Sequence, residues 1–254
     1  MIRALYQTLH RYLCGVAGED PQELRILLYA PSGSAAYNIG GLTIHKAFNI
    51  QANNKLEYKD LPSDQLNTLK VRYRKLSVLI IDEISMVSSQ MLNIIHMRLM
   101  KLKGSKKPFG GVHVILVGDL FQLKPVFGSW VFKHPDNSTY ETLAPNLWTE
   151  NFSIYELTEI MRQKEDRHFA ELLNRLGEGK HTKKGDHSDL ATLKACIVNE
   201  NESNKTAQHF FRSRRDVADH NEKIFAAAMT DKTSIYAHDA VVGDTHKTVQ
   251  ERIK

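Results

Sequence analysis

The sequence has few cysteines and no long apolar run, and both absences narrow what the protein can be. Its two cysteines, Cys14 and Cys196, lie far apart without CxxC spacing, which is typical of ordinary thiols in a reducing compartment. The twelve histidines include no HExxH motif or paired ligand spacing. No apolar stretch approaches the roughly 20 residues of a membrane span, and the N-terminus has no signal-peptide core. A disulfide framework, a zinc centre and a membrane span are therefore all disfavoured.

The composition is that of an ordinary globular protein. The 254 residues are 42% hydrophobic and 25% charged, enough for one large domain or for one domain plus part of another. The net charge of +5 and the sequence pI of about 9.0 permit a polyanionic partner without establishing one.

Four short apolar runs are predicted to be β-strands. They lie at Arg25–Ala30, Val78–Ile81, Val112–Val117 and Phe152–Tyr155. Helical patterns separate them, in "IRALYQTLHRYL", in a short helix that follows a turn and ends at Gly40, in "TIHKAF" and in Val87–Leu102. Short apolar strands that alternate with helices indicate an α/β fold with a parallel sheet, in which ligands bind at the carboxyl ends of the strands.

The character of the chain changes after Arg162. An amphipathic helix, "DRHFAELLNRLGEGK", is followed by a polar stretch, with a weak helix around Leu190–Val198. Then "AQHFFRSRRDVADHNEKIFAAAM" has the pattern of a strand that leads into a helix, the start of a second α/β unit.

Two carboxylates follow the second predicted strand, in "VLIIDEIS". Asp82 can hold Mg²⁺, largely through water, and Glu83 can orient and deprotonate an attacking water. The pattern is typical of a nucleotide-hydrolysing site. A solvated acidic turn is the structural alternative.

A second polar group follows the next strand, in "VGDLFQL". Gln122 lies three residues after Asp119, and its amide can hydrogen-bond a γ-phosphate and report its presence. Taken alone the motif would be a loop with a solvated glutamine; its position after the Asp-Glu strand favours the functional interpretation.

The segment "APSGSAAYNIGG" follows the first predicted strand and opens a helix. Pro31, Ser32 and Gly33 open this helix, and backbone N–H groups there could bind an anion, for which a nucleic-acid phosphate is the natural candidate. His45 and Phe48 could contact a nucleotide or stack on a base, although single His and Phe residues are more often part of a core.

Arg162, in "ELTEIMRQ", follows a strand-like run near the change of character. An arginine that reaches a nucleotide site from a neighbouring element can stabilise the charge of phosphoryl transfer, whereas a surface ion pair is the plain alternative.

No phosphate-binding loop of the Gly-Lys-Ser/Thr type occurs in the sequence. The one Gly-Lys pair, in "GEGKHT", follows a helix rather than a strand and is better explained as a helix stop.

Taken together, these motifs resemble the PIF (petite integration frequency) DNA helicases, relatives of the RecD helicases in superfamily one. The matching stretches are "APSGSAAYNIGGLTIHKAF", "LIIDEISMVS", "GGVHVILVGDLFQLKPV" and "YELTEIMRQ", within residues 30 to 175. Ser32 replaces the usual threonine and Lys124 the usual proline. "HFFRSRRDVADHN" resembles the opening of the family's second motor domain.

The resemblance implies an ATP-dependent helicase that uses ATP and Mg²⁺ and moves along single-stranded DNA from 5′ to 3′, separating duplex DNA. It implies that Asp82 holds the metal and Glu83 activates water. Gln122 would sense the γ-phosphate and Arg162 would be the arginine finger. The segment of Pro31, Ser32, Gly33, His45 and Phe48 would bind DNA. Roles in repair, recombination and telomere maintenance follow by the same route, as does a nuclear location, with the mitochondrion as the alternative.

The expected organisation is a RecA-like first domain at residues 1–176, a polar linker at 177–204 and the start of a second RecA-like domain at 205–254. We expect a fragment that lacks the Walker A loop and the C-terminal motifs and is inactive by itself. Two alternatives stay open: a catalytically dead helicase-derived module that binds DNA or a protein partner, and an ATPase that does not use nucleic acid, which "APSGSAAYNIGG" disfavours.

Overall fold

The computed structural model describes residues 1–15, 20, 23–51, 57–126, 128–133, 146–185, 187–198, 207–229, 231 and 233. The chain divides into two compact units, Met1–Thr192 and Leu193–Lys254, each described by itself. The domain boundaries expected from the sequence stay a prediction. Among the described helices, none has both the length and the apolar character that crossing a membrane requires.

Helices and strands alternate through the first unit. They are α1 (Ile2–Cys14), β1 (Ile26–Ala30), α2 (Gly33–Ile39), β2 (Leu42–Thr43), α3 (Ile44–Phe48), α4 (Ser63–Arg72), β3 (Val78–Ile81), α5 (Ser89–Lys103), β4 (His113–Leu116), α6 (Leu147–Asn151) and α7 (Arg167–Gly177). Short 3₁₀ turns lie at Ile84–Met86 and Pro108–Gly111. Helix α8 (Asp189–Ala195) spans the division, and α9 (Arg214–Ala227) belongs to the second unit.

The strands form one parallel sheet in the order β2-β1-β3-β4. Ile26 pairs with Val78, and Val78 pairs with His113, so the three predicted strands are neighbours in register, as the sequence indicated. All residues of β1 and β3 are buried because helices cover both faces of the sheet.

Alternate residues of β1 and β3 serve two separate cores. Leu27 and Tyr29 face one core with helices α3, α4 and α5, together with Leu79 and Ile81 of β3. Ile26 and its alternating neighbours face the other core, against α1 and α2. The period of two that strand geometry imposes thus divides a continuous apolar run between two faces.

Local side-chain chemistry sets the helix boundaries. The Ser88 hydroxyl accepts a hydrogen bond from the Met91 N–H at 3.1 Å at the start of α5, and the Asp166 carboxylate accepts one from the Phe169 N–H at 2.9 Å at the start of α7. Gly104 ends α5 in the left-handed conformation, with φ 60°.

Strand β2 was not predicted, because two residues are too short to show an apolar period. Its approach to β1 depends on Gly41, because a β-carbon there would clash with the Leu28 carbonyl oxygen. This close contact explains a glycine just before β2.

Two predicted strands are wrong. Phe152–Tyr155 is irregular; Phe152 packs against Phe109 with ring centroids 5.7 Å apart, whereas Ile154 and Tyr155 are exposed. Residues 207–211 form no strand either, although the helix predicted after them is confirmed as α9.

Helix α4 was not predicted, because its sequence is mixed and basic. The part of the predicted second domain beyond residue 233 lies outside the described residues.

Candidate active site at the carboxyl edge of the sheet

Three segments that were singled out from the sequence meet at the carboxyl edge of the sheet. Pro31 follows β1, Asp82 follows β3 and Gly118 comes two residues after β4. Backbone hydrogen bonds continue the pairing past the strand ends: the Asp82 N–H donates to the Tyr29 carbonyl at 2.8 Å, and the Val117 N–H donates to the Ile81 carbonyl at 2.8 Å. The segments therefore lie side by side, as predicted.

Glu83 has an unusual backbone conformation. Its φ of 51° and ψ of 48° are left-handed, which is uncommon for a residue other than glycine. The next residue, Ile84, is buried, and its N–H donates to the Val117 carbonyl at 3.0 Å. These contacts hold the turn in place. Left-handed backbone that the surroundings enforce is frequent at functional sites.

Gly118 lies directly against this turn. A β-carbon on Gly118 would come within 2.8 Å of the Ile84 nitrogen and 3.4 Å of the Glu83 carbonyl carbon, and its φ is 150°. Only glycine fits without displacing one of the two loops. The Gly-Asp motif after β4 is thereby fixed relative to the Asp-Glu motif after β3.

The carboxylates of Asp82 and Glu83 have no hydrogen-bond or ion-pair partner in the described part of the chain. Both residues are half-buried. Burying a charge without a partner is unfavourable. Two adjacent carboxylates in this situation can therefore bind a cation or water. No three His, Cys, Asp or Glu side chains among the described residues are placed to share a metal ion.

Gln122 is tied to Asp119 rather than free. The Gln122 side-chain amide donates to one Asp119 carboxylate oxygen at 3.3 Å, and the Phe121 N–H donates to the other at 2.9 Å. Gln122 itself is exposed. The Asp119 carboxylate therefore orients the loop and the amide of Gln122 together.

The segment after β1 contains a serine with a structural role and a glycine whose surface is open. The Ser32 hydroxyl accepts a hydrogen bond from the Ala35 N–H at 3.3 Å and caps α2. By contrast, a β-carbon at the exposed Gly33 would meet nothing within 4 Å, so packing does not require glycine there.

Phe48 does not fit its predicted contact with a nucleotide or a base. It is fully buried, with its ring edge-on to Tyr29 at 4.9 Å and to Tyr73 at 6.2 Å between centroids. No ring face is left for a base, and the core interpretation of this phenylalanine is the correct one. His45, three residues earlier, is half-exposed.

Arg162 is not brought into contact with the other predicted site residues. It is exposed in a turn that follows an irregular segment, and among the described residues its side chain has no hydrogen-bond or ion-pair partner.

Comparison with known proteins decides the family. Residues 6–187 match the family model of the PIF1-like helicases, more than half of the chain. The chain belongs to the PIF1-like helicase family. The resemblance that the motifs carried is thus confirmed.

The ATP-dependent DNA helicase PIF1 of Candida albicans is 33% identical over 160 residues, which cover 61% of this chain and 18% of that protein. The ATP-dependent DNA helicase Pif1 of a Psychrobacter species is 37% identical over 137 residues, 53% of this chain and 20% of that protein. The chain therefore aligns with about a fifth of each of these relatives.

Solved structures agree with the fold. A Pif1 helicase from Bacteroides, crystallised with ADP-AlF3 and single-stranded DNA, superimposes with a TM-score of 0.65 at 28% identity, over 87% of this chain and 51% of that one. The predicted RecA-like fold, a parallel sheet flanked by helices, is confirmed for this PIF1-like chain.

One feature beside the site was not predicted. The Ser129 N–H donates to the Gln90 side-chain oxygen at 3.2 Å, which holds the 128–130 loop against the start of α5. Trp130 and Phe132 stack in this segment, with centroids 5.6 Å apart and planes at 16°. The glycine at position 128 was the sign of this loop that the sequence offered. Its φ is 104°, and a β-carbon there would come 2.7 Å from the Gln90 side-chain oxygen.

Proposed function

We propose that the chain is part of an ATP-dependent DNA helicase and carries its metal-holding and water-activating carboxylates. The observation that carries this proposal is the pair Asp82 and Glu83, which is half-buried, has no side-chain partner among the described residues and is fixed by the contact between Gly118 and Ile84. The relatives named above are ATP-dependent DNA helicases, which supports the same activity for this chain.

Asp82 would hold Mg²⁺. A single carboxylate suits this ion, because Mg²⁺ keeps several waters and takes its remaining ligands from substrate phosphates. The free carboxylate of Asp82, at the end of a rigid buried strand, fits that requirement. When bound, the ion would neutralise charge on the β- and γ-phosphates.

Glu83 would be the general base. Its left-handed backbone is enforced by buried neighbours, so its carboxylate can be held in place for an attacking water. It would orient that water and accept its proton. Two adjacent carboxylates would then have separate tasks.

Gln122 and Arg162 would respond to the γ-phosphate. Asp119 holds one amide hydrogen of Gln122, which leaves its carbonyl oxygen and its second hydrogen for phosphate or water. Arg162 is exposed and has no partner in the described part of the chain, so it is available as an arginine finger once nucleotide is bound.

The segment after β1 would contact DNA. The open space over Gly33 would let a phosphate approach the backbone closely, and Pro31, Ser32 and the half-exposed His45 would contribute further contacts. The Bacteroides relative was crystallised with single-stranded DNA, which supports this class of ligand. Translocation from 5′ to 3′, duplex unwinding, and roles in repair, recombination and telomere maintenance in the nucleus or mitochondrion belong to the same proposal.

A chimera tests the activity. Residues 6–187 replace the matching segment of the Candida albicans PIF1 helicase, which supplies the flanking parts, and ATP hydrolysis is measured with and without single-stranded DNA. DNA-stimulated hydrolysis is expected. A folded chimera that binds DNA but does not hydrolyse ATP would instead support the alternative, a catalytically dead DNA- or partner-binding module.

A further inference from the structure

Exposed cations collect at the amino edge of the sheet, opposite the candidate active site. Helix α4 ends there before β3, and α5 ends there before β4. The exposed cations of these two segments form what we call the amino-edge basic surface: Lys70, Arg72, Arg74, Lys75, Lys106 and Lys107.

The two segments form one continuous surface. The Lys103 ammonium donates to the Tyr73 carbonyl at 3.1 Å and to the Arg74 carbonyl at 3.0 Å, which joins the end of α5 to the end of α4. The His113 N–H donates to the Ser77 carbonyl at 2.9 Å, which marks this edge as the start of the strands. Strands of four residues separate it from the carboxyl edge by about 13 Å.

Carboxylates do not balance this charge. Glu23 is shared by Arg74 at 2.6 Å and by Lys75 at 3.8 Å. Lys70, Arg72, Lys106 and Lys107 have no carboxylate partner in the part of the chain that the structure describes. Four of the six cations are therefore left for a partner from outside these two segments.

Helix stabilisation explains only part of the surface. Lys70 and Arg72 lie in the last turn of α4, where cations interact favourably with the helix dipole. Lys106 and Lys107 lie beyond Gly104, the C-cap of α5, and therefore contribute little to that effect.

The chemistry of the surface favours a phosphate backbone over exposed bases. Proteins bind single strands by stacking bases on aromatic rings, but Tyr73 and Phe109 in these two segments are both buried. A duplex presents one charge per about 1.7 Å of its axis and keeps its base faces stacked, which suits segments that offer cations but no exposed ring.

We propose that the amino-edge basic surface is a second DNA site that binds duplex DNA through its phosphates. The inference takes the identity of the polyanion from the proposed helicase function. Single-stranded DNA at the carboxyl edge and duplex at the amino edge would then be held on opposite ends of one sheet.

The test compares two triple variants of the 254-residue chain that remove equal charge. Lys70→Gln/Lys106→Gln/Lys107→Gln removes three cations of the surface. Lys180→Gln/Lys183→Gln/Lys184→Gln removes three exposed lysines after α7 and is the control. Affinity for a fluorescent 20-base-pair duplex and for a single strand is measured by anisotropy over a salt series, with poly-glutamate as competitor; thermal unfolding checks the fold.

The first variant should bind duplex at least about tenfold more weakly near 0.1 M salt, and its log–log salt slope should fall by about 2 to 3, because each lost phosphate contact contributes about 0.9. Its single-strand affinity should change less than about threefold, and the control variant should resemble the parent.

Equal losses in both variants, or a parent that binds no duplex, would overturn the inference while leaving single-strand binding and the proposed function intact. Competition by poly-glutamate as effective as by duplex would overturn DNA as the partner. Duplex binding that depends on this surface, without single-strand binding, would support it and count against the proposed function.

Discussion

Gly118 and Ile84 are in backbone contact: a β-carbon on Gly118 would lie 2.8 Å from the Ile84 nitrogen and 3.1 Å from its Cγ2. The contact joins the loop after β4 to the turn that carries the two carboxylates. It fixes the start of the Gly-Asp motif against the turn of Asp82 and Glu83, although the two motifs are about 36 residues apart in the sequence.

Gly118→Ala should therefore be destabilising. The added methyl group clashes with backbone, and the φ of 150° is unfavourable for alanine, so we expect a loss of about 1 to 3 kcal/mol in the free energy of unfolding. Gly33→Ala is the matched control, because nothing lies within 4 Å of its β-carbon position; its stability should stay within about 0.5 kcal/mol. Urea unfolding of both variants decides, and equal stability of the two would refute the contact.

Substitutions at Phe48 and His45 should have separate effects, the first on the stability of the fold and the second on DNA binding. Phe48→Ala leaves a cavity in the core and should cost about 3 to 5 kcal/mol in the free energy of unfolding. His45→Ala, at a half-exposed position, should leave stability nearly unchanged and weaken single-strand affinity if the segment contacts DNA. Anisotropy titrations with chemical unfolding on the same samples give both quantities; a stable Phe48→Ala variant with selectively weaker DNA binding would contradict the core assignment.

Asp189 should make the free energy of unfolding depend on pH in acidic solution. The Arg175 guanidinium donates to both of its oxygens, at 3.0 and 2.6 Å, and with the Thr182 N–H at 2.9 Å this holds the Asp189 pKa well below its usual 3.8. Because the folded-state pKa is lowered, the stabilisation is present above the usual pKa and is lost as pH falls below it toward the folded value. The difference in unfolding free energy between the parent and Asp189→Asn should be constant from about pH 5 to 7 and shrink below about pH 4. A difference that did not change down to pH 3 would show that this ion pair is not the cause.

The sequence predicted the sheet because its evidence is local. The continuous apolar runs of β1 and β3 indicate strands that are buried on both faces. The polar residues that follow each run mark the point where the buried strand ends. The parallel arrangement then brings Asp82 and Gly118 to one edge without further information.

What could not be predicted depends on contacts between distant segments. Phe48 follows a half-exposed histidine and could be assigned to the core only from its packing on Tyr29 and Tyr73. The left-handed backbone of Glu83 likewise has no signature in residue type. Phe152 has strand-like neighbours, yet its ring contacts are with Phe109 and Trp148, and no strand in the described residues pairs with the segment.

The most direct test of the central claim is the effect of Glu83→Gln in the chimera with the Candida albicans helicase. ATP affinity, measured by titration, should stay near that of the parent, because the amide keeps the shape and an acceptor oxygen. ATP turnover under saturating single-stranded DNA should fall about 10²- to 10⁴-fold, the usual contribution of a general base. Turnover within about threefold of the parent, well below that range, would contradict the account: Glu83 would not be the base, and the Asp-Glu turn would be a structural strand end.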